Sequence, residues 1–352
     1  MELITKTIAS IAPVKQSFLD SAQKRLDSLT KPQGSLGLLE DIAKKIVAIT
    51  ENEQPRLENK VIVTMAGDHG VVVEGVSAFP QEVTPQMVYN FVSGGAAINV
   101  LARHVGADVK VVDMGVNTDF DTSLAIINKK VAYGTKNFTE GPAMSKDEAV
   151  QSIERGIEVV YELKQNGLDI VGTGDMGIGN TTPSSAIAAV FLNCPVEQVT
   201  GRGTGIDDDA LKNKIRVIEK GISVNSPDRD DPLDVLAKVG GFEIGGIAGV
   251  VLGAASLKIP VMVDGLISAA GAYIAFKLCP MVKDYIFAAH KSVEIGQSKI
   301  IKDMGLEPIL DFDMRLGEGT GAALSMGIVD AATKILNDMA TFGDAGVSGR
   351  DH

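Results

Sequence analysis

Positive charge is what this sequence has too little of: 33 lysines and arginines against 45 aspartates and glutamates leave a formal net charge of -12. The basic residues are scattered rather than gathered in a stripe, so a nucleic-acid partner is excluded. An anionic small molecule would have to be met by a few local groups. Cysteine is equally sparse. Cys194 and Cys279 are the only two; they lack CxxC spacing and a secreted context, so both are expected as buried thiols in a reducing compartment. The first residues carry acidic Glu2 and alternate polar with apolar side chains, unlike the basic and then continuously apolar stretch of a secretory leader. That points to a soluble cytoplasmic protein. No apolar run suits a membrane either. The best, Ile244 to Val263, is broken by Gly245, Gly246, Gly249 and Gly253 and interrupted by Lys258 and Pro260, so it is expected as a buried helix feeding a buried strand. Internal repeats and low-complexity linkers are absent as well.

What is present is apolar material for a large core, with 45% of the residues hydrophobic and 22% charged. Residues Ser10 to Ile49 have helical periodicity, broken at Lys31 to Gly37 where Pro32, Gly34 and Gly37 forbid a continuous helix. From Lys60 the pattern changes. Val61 to Ala66 is a short, mostly β-branched run that ends in GDHG, as a buried parallel strand ending in a loop does. The same unit returns as Asp108 to Met114 before Gly115, as Leu168 to Val171 before GTGDMG, and as Ile259 to Val263 before Asp264 and Gly265. Strands alternating with helices predict an α/β fold, a Rossmann-like and mostly parallel sheet covered on both faces, with ligands beyond the carboxyl ends of the strands. The helical stretch Thr320 to Met339 has no partner in that pattern and is expected to join the N-terminal helices. The expected division is residues 1-58 as N-terminal helices of a small helical domain, 59-318 as a large catalytic α/β domain, and 319-352 as a C-terminal helix returning to the small one.

Four segments bear on chemistry. Val171 to Ser185, VGTGDMGIGNTTPSS, places glycines and hydroxyl and amide side chains after a strand, where freed backbone amides at a helix start can cradle a phosphate. Its Gly172, Gly174 and Gly177 also spell GxGxxG. A dinucleotide site would need an acid ending a second strand about twenty residues on, and Glu197 follows Pro195 in a loop instead. Arg315 to Gly321, RLGEGTG, sets Glu318 between glycines beside an apolar helix, where desolvation raises a carboxylate pKa toward that of a general base; helix capping is the bland alternative. Asp68 and His69 lack distant matching ligands, so they are expected as a hydrogen-bonded strand end, and no metal is expected. Lys214 is by default a solvated helix lysine, and Asp207 to Asp209 an acidic helix start that suits the dipole.

Taken in order, KPQGSLGLLE (Lys31 to Glu40), AGDHGVVVEGVSAFPQEVT (Ala66 to Thr84), GDMGIGNTTPSSA (Gly174 to Ala186), KVGGFEIGGIAG (Lys238 to Gly249) and MRLGEGTGAAL (Met314 to Leu324) resemble the nicotinate-nucleotide:dimethylbenzimidazole phosphoribosyltransferases of cobamide synthesis. The resemblance runs from about Lys31 to Leu336. It implies transfer of ribose phosphate from nicotinate mononucleotide to an aromatic lower-ligand base, without metal or organic cofactor, by a homodimer or a heterodimer with a paralogue. Carried over residue by residue, Glu318 would be the base, and Lys214 with Gly177, Gly179, Asn180 and Thr181 would lie near the phosphate. Ser292 would lie near the nicotinate, and Phe79, Met87, Met176 and Leu316 around the incoming base, with Arg315 and Gly317 beside them. Asp264 is assigned to the ribose from its strand-end position. The chain departs from relatives that read GEMG or GELG, since Asp175 is one methylene shorter, and from those with serine and glutamine where Phe79 and Met87 stand. Three alternatives stay open: a phenol-activating relative, a weakly active subunit of a heterodimer, and a nucleotide-binding sensor, which would not need Glu318.

Overall fold

The computed structural model describes residues 1–348; the last four residues of the expected segment 319-352 lie outside the described residues. Seven strands, β1 Lys60–Gly67, β2 Ala107–Gly115, β3 Ile126–Asn128, β4 Ile170–Met176, β5 Val261–Val263, β6 Ile286–Lys291 and β7 Pro308–Asp311, form one sheet. The order is β3-β2-β1-β4-β5-β6-β7, and every pairing is parallel. The expected α/β class is therefore correct. Chain order reverses between β1 and β4, so a crevice opens at their carboxyl ends.

The sheet is covered on both faces, and strand alternation shows it. In β1, Ile62 and Thr64 face the helix Thr320–Asp338, while Met65 lies against the helix Phe242–Ser256. Phe242–Ser256 is the glycine-rich apolar run of the sequence, and all its residues but the last are buried. Its glycines serve close packing: a methyl group on Gly249 would collide with the carbonyl oxygen of Ile153 in the helix Lys146–Gln165, and one on Gly156 with that of Gly246. No described helix is long and apolar enough to cross a membrane.

Three expectations need correction. The helix Thr320–Asp338 does have partners in the α/β layer, since it packs on β4, β5 and β6 as well as on the N-terminal helix Leu38–Thr50. The segment after Val171 is strand rather than loop through Met176, because β4 pairs with β1 along its whole length. Cys194 is only half-buried, while Cys279 is buried as expected. The acidic start at Asp207 is as read: its side chain accepts the Ala210 amide and caps the helix Asp208–Asn225.

Candidate active site

A cavity of about 620 Å³ lies at the switch point, bounded by the ends of β4 and β6, the turn after β5, and the loop before the helix Thr320–Asp338. Glu318 lines it and is buried, with a backbone φ of +63° between Gly317 at +82° and Gly319 at +96°. The left-handed conformation costs a non-glycine residue roughly 1–2 kcal/mol, and it holds only where the surroundings fix it. They do so here. The Thr64 hydroxyl donates to the Glu318 carbonyl oxygen at 3.1 Å, and the Gly319 and Ala322 amides donate to the two oxygens of Asp264 at 3.2 and 3.0 Å. The Ile98 amide donates to Glu318 Oε2 at 3.3 Å. Burial raises the Glu318 pKa, the Ile98 amide opposes, and the charge of Asp264 adds to the rise.

Asp175, at the end of β4, is the second buried acid. Asn180 Nδ2 donates to its Oδ2 at 2.9 Å, whereas Oδ1 has no partner. Burial, with the charges of Asp264, Glu243 and Glu318, pushes its pKa up to about 8. At that value the neutral form predominates at pH 7.

The loop Gly177–Asn180 leads into the helix Thr181–Leu192, and its Gly177, Ile178 and Asn180 line the cavity, with the Ile178 amide donating to Thr84 Oγ1 at 3.0 Å and the Asn180 amide to the Gly177 carbonyl oxygen at 3.1 Å. Behind it Lys214 is fully buried, with Nζ donating to Thr181 Oγ1 at 2.6 Å. Burial lowers its pKa to about 8, against the pull of Glu294. Lys214 is thus not the solvated helix lysine that its local sequence suggests. Phe79, Val83, Met87, Met176, Leu316 and, from the loop itself, Ile178 give the cavity an apolar lining, with Phe79 and Leu316 half-exposed. His290, near the end of β6, and Ser292, just after the strand, line the cavity together with Gly265 and Leu266.

Of the residues singled out in the sequence, Phe79, Met87, Asp175, Met176, Gly177, Asn180, Thr181, Ser292, Arg315, Leu316, Gly317 and Glu318 line this one cavity. Gly179 and Lys214 stand behind its wall. Asp264, assigned to the ribose, is fully buried beneath the cavity, and its two oxygens are taken by the amides that start the helix Thr320–Asp338. His290, Glu294, Gly203, Thr204 and Ile267 also line the cavity and were not singled out. Gly203 and Thr204 sit in GRGTG, a second glycine-rich turn that carried a signal; His290 lies near the end of β6, a strand whose pattern went unread, and Glu294 follows it. Asp68 and His69 do close the strand end: the Asn117 amide donates to Asp68 Oδ2 at 2.8 Å, and His69 Nε2 lies 2.8 Å from Glu243 Oε1. Among the described residues no three His, Cys, Asp or Glu side chains gather as a metal site.

The phosphoribosyltransferase family profile matches residues 11–347. The nicotinate-nucleotide:dimethylbenzimidazole phosphoribosyltransferase of Geobacter sulfurreducens is 58% identical over the whole of both chains. Its counterpart in Roseiflexus is 55% identical over 99% of each. The crystal structure of the enzyme of that name from Thermus thermophilus is 41% identical and superposes with a TM-score of 0.90, covering 95% of this chain and 99% of that one.

Proposed function

The chain belongs to the nicotinate-nucleotide:dimethylbenzimidazole phosphoribosyltransferase family, and from that membership we propose how its cavity moves ribose 5-phosphate from nicotinate mononucleotide to dimethylbenzimidazole. The observation that carries the proposal is Glu318: a buried carboxylate of raised pKa, held on a left-handed turn at a mostly apolar cavity that a glycine loop and a buried lysine close on another side.

In nicotinate mononucleotide the pyridine nitrogen is already cationic. When the bond from C1′ to that nitrogen breaks, its electron pair neutralises the ring, so the leaving group needs neither a proton nor a metal. The protein supplies position and charge. The amide and hydroxyl of Thr181 at the start of the helix Thr181–Leu192, beside Gly177 and with Lys214 behind, receive the phosphate. Ser292 lies by the nicotinate. The apolar wall of Phe79, Met87, Met176 and Leu316 holds the flat base on the opposite face of the sugar, where a ring nitrogen attacks C1′ with inversion and an α-riboside phosphate forms. Glu318 takes the proton that the base releases. Asp175, neutral at working pH, adds no second charge beside it and keeps an unpartnered oxygen for the substrate. Asp264 positions the base rather than the ribose, through the two amides that follow Glu318.

The cytoplasm is the compartment proposed, residues 59-318 the catalytic unit, and a homodimer the assembly. Half-exposed Phe79 and Leu316, with exposed Phe312 and Val293, favour a second copy near the cavity mouth. The direct assay incubates purified chain with nicotinate mononucleotide and dimethylbenzimidazole, adenine or a phenol in the presence of a chelator. Nicotinate and the α-riboside phosphate of dimethylbenzimidazole should form in equal amounts. Release of nicotinate without a riboside, or a strict need for added magnesium, would remove the proposed chemistry.

A further inference from the structure

One buried amide outside the cavity wall ties two residues of that wall, His290 and Ser292, to Asp264 beneath it. Gln297 belongs to the helix Ile295–Asp303 and is 1% exposed. Its Nε2 donates to the carbonyl oxygens of His290 at 2.6 Å and Asp264 at 3.1 Å, and its Oε1 accepts the Ser292 amide at 2.8 Å. Two donors and the acceptor are engaged, so the amide has one orientation; flipped, it would set oxygen against oxygen and N–H against N–H. The location gives these contacts their meaning. Pairing between β5 and β6 ends at Val263 opposite Ala288, and beyond that pair the two strands part to open the crevice. The carbonyls of Asp264 and His290 lie just past the parting. An open strand end of this kind leaves buried backbone groups without ladder partners, which is costly unless a side chain satisfies them. Gln297 takes the place of the missing ladder while keeping the strands apart.

We propose that Gln297 is a positioning residue, a side-chain staple that fixes the Ser292 turn on the nicotinate side and the Asp264 turn beneath Glu318 at one separation. The inference rests on the reading of Ser292 as the neighbour of nicotinate, and it adds that the nicotinate subsite is set from behind by this amide. Asp264 is held twice, through its carbonyl by Gln297 and through its carboxylate by the amides after Glu318. The Ser292 amide is held by the Gln297 side chain, whereas the next residues of the turn have other ties: the Val293 amide donates to the Met314 carbonyl oxygen at 3.2 Å, Glu294 Oε1 accepts the Gly203 amide at 2.8 Å, and the Ser292 hydroxyl accepts the Glu294 amide at 3.2 Å. Loss of the staple should therefore tell first on nicotinate.

Gln297→Met keeps length and volume and removes all three bonds. Expected are parallel rises of about 10- to 100-fold in KM for the mononucleotide and in the inhibition constant of free nicotinate, as displacement of a positioned group produces. KM for dimethylbenzimidazole should stay within about twofold, since its wall is anchored elsewhere. A role in stability alone would lower the melting temperature and leave the nicotinate inhibition constant of the folded enzyme unchanged; that result overturns the proposal. Gln297→Glu retains the acceptor for the Ser292 amide but sets a carboxylate oxygen against the carbonyl oxygens of His290 and Asp264, so its effect on nicotinate should be at least as large as that of Gln297→Met. If neither variant folds, Gln297 is a stability residue and the positioning role falls. Ser292→Ala separates this inference from the reading beneath it. If it weakens nicotinate and the double variant with Gln297→Met is no weaker than the worse single one, the two act as one unit. If Ser292→Ala has no effect while Gln297→Met does, the staple stands and Ser292 leaves the nicotinate site.

Discussion

Two carboxylates at the cavity differ in how they are held, and the difference assigns their tasks. Glu318 accepts one backbone amide and stands on a left-handed turn, so it is aimed as well as buried. Asp175 accepts one side-chain amide and has a free oxygen, and its pKa of about 8 keeps it protonated. A carboxyl whose folded pKa is raised favours the folded state least at high pH. Below about pH 4 both folded and unfolded forms are neutral; from there to about 8 the unfolded chain ionises and the folded one does not. Stability is then lost at up to about 1.4 kcal/mol per pH unit. Asp175→Asn removes that loss. The variant should gain stability over the parent by chemical denaturation, and the gain should be clearly larger at pH 8 than at pH 5. An equal gain at both values would mean that Asp175 is ionised in the folded protein. Neither the free oxygen nor the pKa was legible in the sequence. The motif gives the acid, but its charge depends on Asp264 and Glu243, which approach from other elements.

At the scale of elements, β4 and the loop before the C-terminal helix are fitted to each other through glycine. A methyl group on Gly174 would meet the Glu318 carbonyl oxygen and carbon and the Gly319 nitrogen, all backbone atoms that cannot swing aside. Gly174→Ala should therefore displace the turn that aims Glu318. The expected loss is about 1–3 kcal/mol of stability, as overpacking costs, and a fall in kcat larger than any change in KM. Gly141→Ala, where nothing lies within 4 Å, serves as the neutral control. Wild-type kcat in Gly174→Ala would show that the turn tolerates the shift. This packing also explains why GTGDM reads as a loop in the sequence: glycine weakens a strand pattern, and the helix start that requires it lies about 140 residues away. The strands β1 and β2 were legible because each is rich in valine and other apolar residues and ends at a glycine. β6 was not, since IFAAHK is short and ends in polar residues that belong to the site, and β3 and β7 have only three and four residues.

For the molecule as a whole, the fold sets one crevice at the reversal of strand order, and residues from four strand ends meet there. The net charge of -12 makes a local basic device necessary for an anionic substrate, and Lys214, buried against Thr181, is the group proposed for it. Its place could not be inferred from LKNKI, because a helix lysine becomes buried only when another element covers it. The measurement that tests the central claim most directly is turnover of Glu318→Gln beside direct mononucleotide binding. Glutamine keeps the shape and the bond from Ile98 but cannot take a proton, so kcat should fall by about 10²- to 10⁴-fold, with mononucleotide affinity within about twofold of the parent. Near-parental turnover would contradict Glu318 as the base, and with it the account of how this cavity works.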